Sequence, residues 1–262
     1  MSTSTISPLA FVHPGAKIGK NVIVEPFAYI DDNVEIGDGS YIMSKADIRT
    51  GARIGANCKI FPGAAIGGIP QDLKFKGEES LAIIGDNTTV RECVTVNRGT
   101  VSKGKTVVGS NCLLMAYSHI AHDCVVGNNV IIGNATQLAG EVEIFDSAIV
   151  SGGALVHQFT RVGQHVMIQG GTRLGKDIPP YVIAGREPVS YSGINLVGLR
   201  RSGFSNEKIN EIQEIYRLIY QSGLNFSDAV SKVEAEFERT QEMEAIVSFI
   251  KDSPRGIVRG YL

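Results

Sequence analysis

From Val12 to Ile66 every sixth residue is aliphatic: Val12, Ile18, Val24, Ile30, Ile36, Ile42, Ile48, Ile54, Ile60 and Ile66. The series resumes at Ile84, Val90 and Val96, then runs unbroken from Val108 to Leu174. Neither the 3.6-residue period of a helix nor simple strand alternation marks every sixth position. A short fixed period is instead the signature of a solenoid. Two other slots follow the same clock. Four residues after each mark comes a small side chain, as at Ala28, Ala46, Ala64, Ser118, Thr136 and Ala154. Three residues after it Asn, Gly or Asp recurs, as at Asn21, Asn33, Gly63, Asn111, Asp123 and Asn129. Those types tolerate the left-handed backbone region, so each hexad is expected to turn there.

Short strand, turn, short strand, with one aliphatic plug per side, describes a parallel β-helix. Three hexads make an 18-residue triangular coil, and coils stack about 4.8 Å apart. A coil cannot bury its plugs alone, so stability must come from stacking. Thirty glycines and no tryptophan suit tight, repeated turns. The ruler breaks at 67–83 and 99–107, which are expected to be loops expelled from the prism, and rigid repeats carry function on such loops. It stops after Leu174, where the Pro179-Pro180 pair is expected to end the pairing. Beyond 190 the period becomes helical: Ile209, Ile212, Tyr216 and Ile219 form one face, and Gly223 is a stop signal. Ser227 is the expected cap of a second helix, and Ile246, Phe249 and Ile250 mark a third. The organisation read from the chain is thus a prism over 1–189 and a helical domain over 190–262.

Composition narrows the function. A charge of −2 argues against nucleic-acid binding. No run of about 18 apolar residues is present, which argues against membrane insertion. No secretory signal opens the chain, so a cytoplasmic location is expected. Of the four cysteines, Cys58, Cys112 and Cys124 occupy the small slot and read as buried hydrophobes, and none forms a CxxC pair.

Chemistry concentrates at His119-Ile120-Ala121-His122-Asp123. Because residues 18 apart stack, His122, Gly140 and Gln158 form one column. His119, Gln137 and Leu155 form a second, Asp123, Glu141 and Phe159 a third, and Ala121, Ala139 and His157 a fourth. His122 holds neither the plug nor the small slot, so it points outward. Its imidazole suits a general base, and the Gly140 N–H one coil above suits an oxyanion. Asp123 is suited to orienting the ring, but the turn slot favours Asp on backbone grounds alone. His119, His122 and His157 also leave a zinc site of the prism-shaped carbonic anhydrase type as an alternative, without an evident third ligand at metal distance. No serine or cysteine stands out as a covalent nucleophile, so direct attack by a substrate hydroxyl is expected.

The repeat resembles that of the hexapeptide-repeat acyltransferases. With Ile69-Pro70-Gln71-Asp72-Leu73-Lys74, Asn97-Arg98-Gly99-Thr100, His119 to Cys124, His157-Gln158-Phe159, Asp177 to Tyr181, Gly193-Ile194-Asn195 and Gly198-Leu199-Arg200-Arg201, the chain is similar to one family in particular. That family is the acyl-carrier-protein–UDP-N-acetylglucosamine O-acyltransferases, which begin lipid A biosynthesis. The resemblance implies a left-handed coil, a homotrimer with sites between prisms, no cofactor and no metal. It implies an acyl carrier protein bearing a (3R)-hydroxyacyl chain as donor and UDP-N-acetylglucosamine as acceptor. It implies that His122 is the base, Asp123 its support and Gly140 the oxyanion donor. Asp72, with Gln71 and Lys74 nearby, would bind the sugar; His119, His157 and Gln158 would line the cleft. Asn195 and Arg201 would hold the nucleotide from a neighbouring subunit, and Met167 and Gly170 would shape an acyl pocket for chains longer than ten carbons. The chain departs from the family at Asn97, Glu141, Pro188, Val197 and Ser202. Another hexapeptide-repeat acyltransferase is the nearest alternative, but the later N-acyltransferase of the pathway carries an N-terminal uridine-binding domain for which hexads starting by Val12 leave no room.

Overall fold

A computed structural model describes residues 4–260. The hexads form a left-handed parallel β-helix with a helical domain at its C-terminal end. Most strands are two residues long, and among the described residues they make three sheets of eleven, nine and eight strands. The pairing register follows the arithmetic of eighteen. His119 pairs Gln137, which pairs Leu155, which pairs Arg173. The marks are the core: Ile30, Ile48, Ile60, Ile120, Ile132 and Leu138 are fully buried. Each such burial is worth about 1.5–3 kcal/mol. Leu138→Ala should therefore lower the unfolding free energy by about 2–5 kcal/mol. Leu9→Ala, at a side chain 61% exposed, should change it by less than about 0.5 kcal/mol. Urea titration of the two variants checks the contrast.

From Asn21 onward the turn slots of the regular hexads have positive φ, at Asn21, Asn33, Asn57, Asn111, Asp123 and Asn129 as expected. They also do so where the residue type argues against it, at Phe27 (66°), Lys45 (61°), Cys93 (55°), Tyr117 (63°) and Glu141 (60°). Pairing to the coils on both sides overrides the local steric preference.

The prism extends beyond the marks at both ends. Thr5–Ile6 pairs with Ile23 and Val24, one strand before Val12. At the other end pairing does not stop at Leu174. Ile178 bridges Val162, and Val182–Gly185 pairs beside Met167 with a step of sixteen. The last coil is two residues short, so the six-residue count fails there while the ladder continues. Ser190–Ile194 then returns antiparallel to Val182–Gly185. The expelled loops are also narrower than the breaks in the ruler. Strands Ala65–Gly68 and Leu81–Ile84 leave 69–80 outside, and Thr95–Asn97 and Lys105–Val108 leave 98–104.

The helical domain holds α1 (Leu196–Arg201), α2 (Asn206–Gln221), α3 (Phe226–Glu236) and α4 (Gln241–Lys251). Helix α2 buries Ile209, Ile212, Tyr216 and Ile219, is capped by Ser205, and is followed by Gly223 at φ 78°. Asn225 caps α3, not Ser227, because its side chain reaches the Asp228 N–H. The α4 face docks on the prism through Phe249, which meets Phe145 edge-on at 5.8 Å and lies under Arg161. Among the described residues no helix is long and apolar enough to cross a membrane.

Candidate active site

The second sheet, carrying His119, Gln137, Leu155 and Arg173, presents an open groove of about 700 Å³. Gln71, His119, His122, Gly140, His157 and Gln158 line it. His122 stands at the prism corner where this sheet turns into the third. The Glu141 N–H donates to the His122 carbonyl (3.0 Å), and the Phe159 N–H donates to that of Gly140 (3.2 Å), which fixes the column read from the spacing. A Cβ on Gly140 would lie 2.6 Å from His122 Cε1 and Nε2. Only a glycine leaves room for the ring. The Gly140 amide has no hydrogen-bond acceptor among the described residues.

His122 Nδ1 lies 2.9 Å from Asp123 Oδ2. The Asp123 carboxylate is fully buried yet crowded with donors. Oδ1 accepts the N–H groups of Thr100 (2.9 Å) and Lys103 (3.1 Å), and Oδ2 accepts the Thr100 hydroxyl (2.6 Å). Burial opposes the charged form; the bonds from Thr100, His122 and Lys103 outweigh it and hold the carboxyl below the ordinary Asp value. An ionised Asp123 accepts only, so the ring donates from Nδ1, the tautomer that in the neutral imidazole puts the lone pair on Nε2, beside Gly140. Asp123 is therefore more than a turn residue, although it also adopts φ 60°. His119 differs: burial, then the neighbouring His122, push it below the ordinary His value, and its Nδ1 meets Thr95 Oγ1 at 2.7 Å.

The other residues singled out in the sequence divide. His157 is exposed on the groove, with Nδ1 3.0 Å from the Gln158 carbonyl. Asp72 does not line the groove within one chain; its carboxylate accepts the Lys74 N–H at 2.9 Å, and Lys74 is exposed. Met167 lies in a strand of the first sheet, with its Sδ 3.8 Å from Ser151 Oγ, and Gly170 lies in the turn that follows, both away from His122. Asn195 caps α1, accepting the Gly198 N–H and donating to the His165 carbonyl, while Arg201 is exposed on the last turn. Neither reaches this chain's own groove. Among the departures, Asn97 donates to the Ile69 carbonyl and leaves Oδ1 buried without a partner, and Glu141 accepts the Ser102 hydroxyl. Pro188 and Ser202 are exposed, and Val197 is 61% exposed. Periodicity gave no sign of Thr100 and Lys103; Thr100 stands only within the Asn97 to Thr100 motif. Among the described residues no three His, Cys, Asp or Glu side chains are arranged to hold a metal ion.

Comparison with known proteins agrees with this architecture. Residues 177–258 match the family described as Udp N-acetylglucosamine O-acyltransferase, Domain 2. Residues 105–140 match the bacterial transferase hexapeptide, and residues 2–111 the GMPPB C-terminal domain. A relative from Burkholderia lata, an acyl-carrier-protein–UDP-N-acetylglucosamine O-acyltransferase, is 46% identical over 198 residues, covering 74% of this chain and 76% of its own. A UDP-N-acetylglucosamine acyltransferase of known structure from Bacteroides fragilis is 63% identical, with a TM-score of 0.96 over 97% of this chain and 100% of that one. One from Francisella novicida is 40% identical, with a TM-score of 0.95 over 97% and 94%. With an identity this high across the prism and the helices alike, the chain belongs to the acyl-carrier-protein–UDP-N-acetylglucosamine O-acyltransferase family.

Proposed function

We propose that the protein transfers a (3R)-hydroxyacyl chain from an acyl carrier protein to the 3-hydroxyl of UDP-N-acetylglucosamine, the first step of lipid A biosynthesis. The observation that carries the reading is the His122–Asp123 pair beneath the unpartnered Gly140 amide in a solvent-open groove. His122 Nε2 removes the proton as the sugar oxygen attacks the thioester carbonyl. The oxyanion that develops is stabilised by the Gly140 N–H. When the intermediate collapses, the C–S bond breaks and the carrier thiolate takes the proton back from His122. An ester and a free thiol result, with no covalent enzyme intermediate and no cofactor.

The sugar is held by Asp72, with Gln71 and Lys74 beside it, and the cleft is completed by His119, His157 and Gln158. Asn195 and Arg201 serve the nucleotide of a neighbouring subunit in a homotrimer, which accords with their distance from this chain's own groove. Gly170 and Met167 set a pocket for chains longer than ten carbons. Incubating the pure protein with UDP-N-acetylglucosamine and a hydroxyacyl carrier protein should release the carrier thiol and yield a 3-O-acyl sugar by mass spectrometry. Thiol release without the sugar ester, or no turnover of either substrate, overturns the reading.

A further inference from the structure

Residues 98–104 leave the prism and return through a narrow neck. A Cβ on Gly99 would lie 2.2 Å from the Lys105 nitrogen, so only glycine passes there. The neck sends Thr100 inward, to 6% exposure. There it meets Asp123 twice, through its N–H at Oδ1 (2.9 Å) and its hydroxyl at Oδ2 (2.6 Å). Oδ2 is the same oxygen that faces His122 Nδ1. The direction of the hydroxyl is set as well, because its oxygen accepts the Ser102 N–H (3.2 Å) and its proton is left for Asp123. Farther along, Ser102 donates to Glu141 Oε1 (3.1 Å) and Lys103 Nζ to Glu143 Oε1 (3.2 Å), on the next coil. The Val101 N–H donates to Glu78 Oε1 (3.1 Å), which ties the segment to the 69–80 loop.

From this geometry we infer that Thr100 is a positioning residue for acyl transfer, acting through Asp123. It holds the carboxylate in the orientation that keeps the His122 proton on Nδ1 and the lone pair on Nε2, and the 98–104 segment is the strap that delivers it. The inference rests on the reading of His122 as the base. Both amides bind Oδ1, so without the Thr100 hydroxyl the ring is the one partner left on Oδ2 to set the tilt of the carboxylate. Losing that hydroxyl has two effects. The ring is placed less sharply, which slows the proton transfer. The carboxylate also loses one of the bonds that hold it below the ordinary Asp value, so its ionised form gives way at a higher pH and the acidic limb of the rate profile moves up. The other charged or titrating groups that face this centre are His119 on its strand, His157 across the groove, Glu141 on the coil above and Lys103 of the strap. Thr100→Val replaces none of these side chains, although it also removes the acceptor of the Ser102 N–H, which Thr100→Ser keeps.

The test compares wild type, Thr100→Val and Thr100→Ser. The valine variant should lose about ten-fold in kcat, the scale of about 1.4 kcal/mol for one charge-assisted hydrogen bond to the Asp123 carboxylate. Its KM for the UDP-sugar should stay within about two-fold, as expected for a change felt in the transition state alone. The acidic limb of kcat/KM should move up in pH, and serine should restore both rate and limb. Wild-type kcat with an unmoved limb in Thr100→Val overturns the inference. So does a loss that follows the melting temperature while the limb stays in place, since that is a structural role only. If His122→Ala itself keeps full activity, the general-base reading fails and the inference goes with it. If His122→Ala is inactive and Thr100→Val behaves as wild type, the inference alone fails.

Discussion

His122→Ala should lower kcat/KM by about 10²–10⁴-fold, the span of a lost general base. The expectation is sharp because little else should change. The ring is 19% exposed and fills no plug position, so its removal opens no cavity in the stack. Asp123 keeps its three donors from Thr100 and Lys103, so the buried carboxylate is not orphaned. His119 is a poor substitute. Burial holds its proton affinity below the ordinary His value, and its Nδ1 is taken up with Thr95. The variant should therefore melt close to wild type and still bind the UDP-sugar, while carrier-thiol release almost stops. Thiol release at the wild-type rate would end the general-base reading, whatever the family.

The parts of the molecule that follow from the six-residue count were legible without coordinates. The count placed His122 under Gly140 and His119 under Gln137, because parallel pairing at a fixed coil length leaves no freedom of register. It failed wherever the coil length changes. Between Leu174 and Ile178 two residues are missing, so Ile178 and Ala184 take plug positions that a count of six cannot find. The strap was invisible for the same reason. Thr100 and Asp123 are 23 residues apart across an insertion, and no period links them. Turn slots held by Tyr117, Glu141 or Phe159 carry no local signal, since those types disfavour positive φ and adopt it only because neighbouring coils impose it. Asn195 shows the opposite difficulty. Its place one residue before a helix gives it a capping task, and both ends of its amide are used within the chain. Any nucleotide contact from Asn195 therefore has to share those bonds.

Gly140→Ala should lower kcat by about 10²-fold, the scale of a displacement of about 1 Å in a reacting group. Gly140 is not among the positive-φ glycines, so alanine meets no backbone strain there. Its methyl group instead meets the imidazole, 2.6 Å from Cε1 and Nε2 and 3.3 Å from Nδ1. The backbone cannot yield, because the Glu141 N–H is bound to the His122 carbonyl and the Phe159 N–H to the Gly140 carbonyl. The ring must swing aside instead. Swinging breaks the 2.9 Å contact with Asp123 and takes Nε2 away from the Gly140 amide, where the proposed mechanism needs the substrate hydroxyl. The stack itself is untouched, and alanine restricts the unfolded chain more than glycine does. Melting should therefore stay within a few degrees of wild type, at about 4 °C per kcal/mol or less for a chain of this size. Activity and stability should thus separate, with the rate falling and the melting temperature holding. A variant that keeps its rate would mean that the ring has another productive position, and that the close fit of Gly140 over His122 is packing and nothing more.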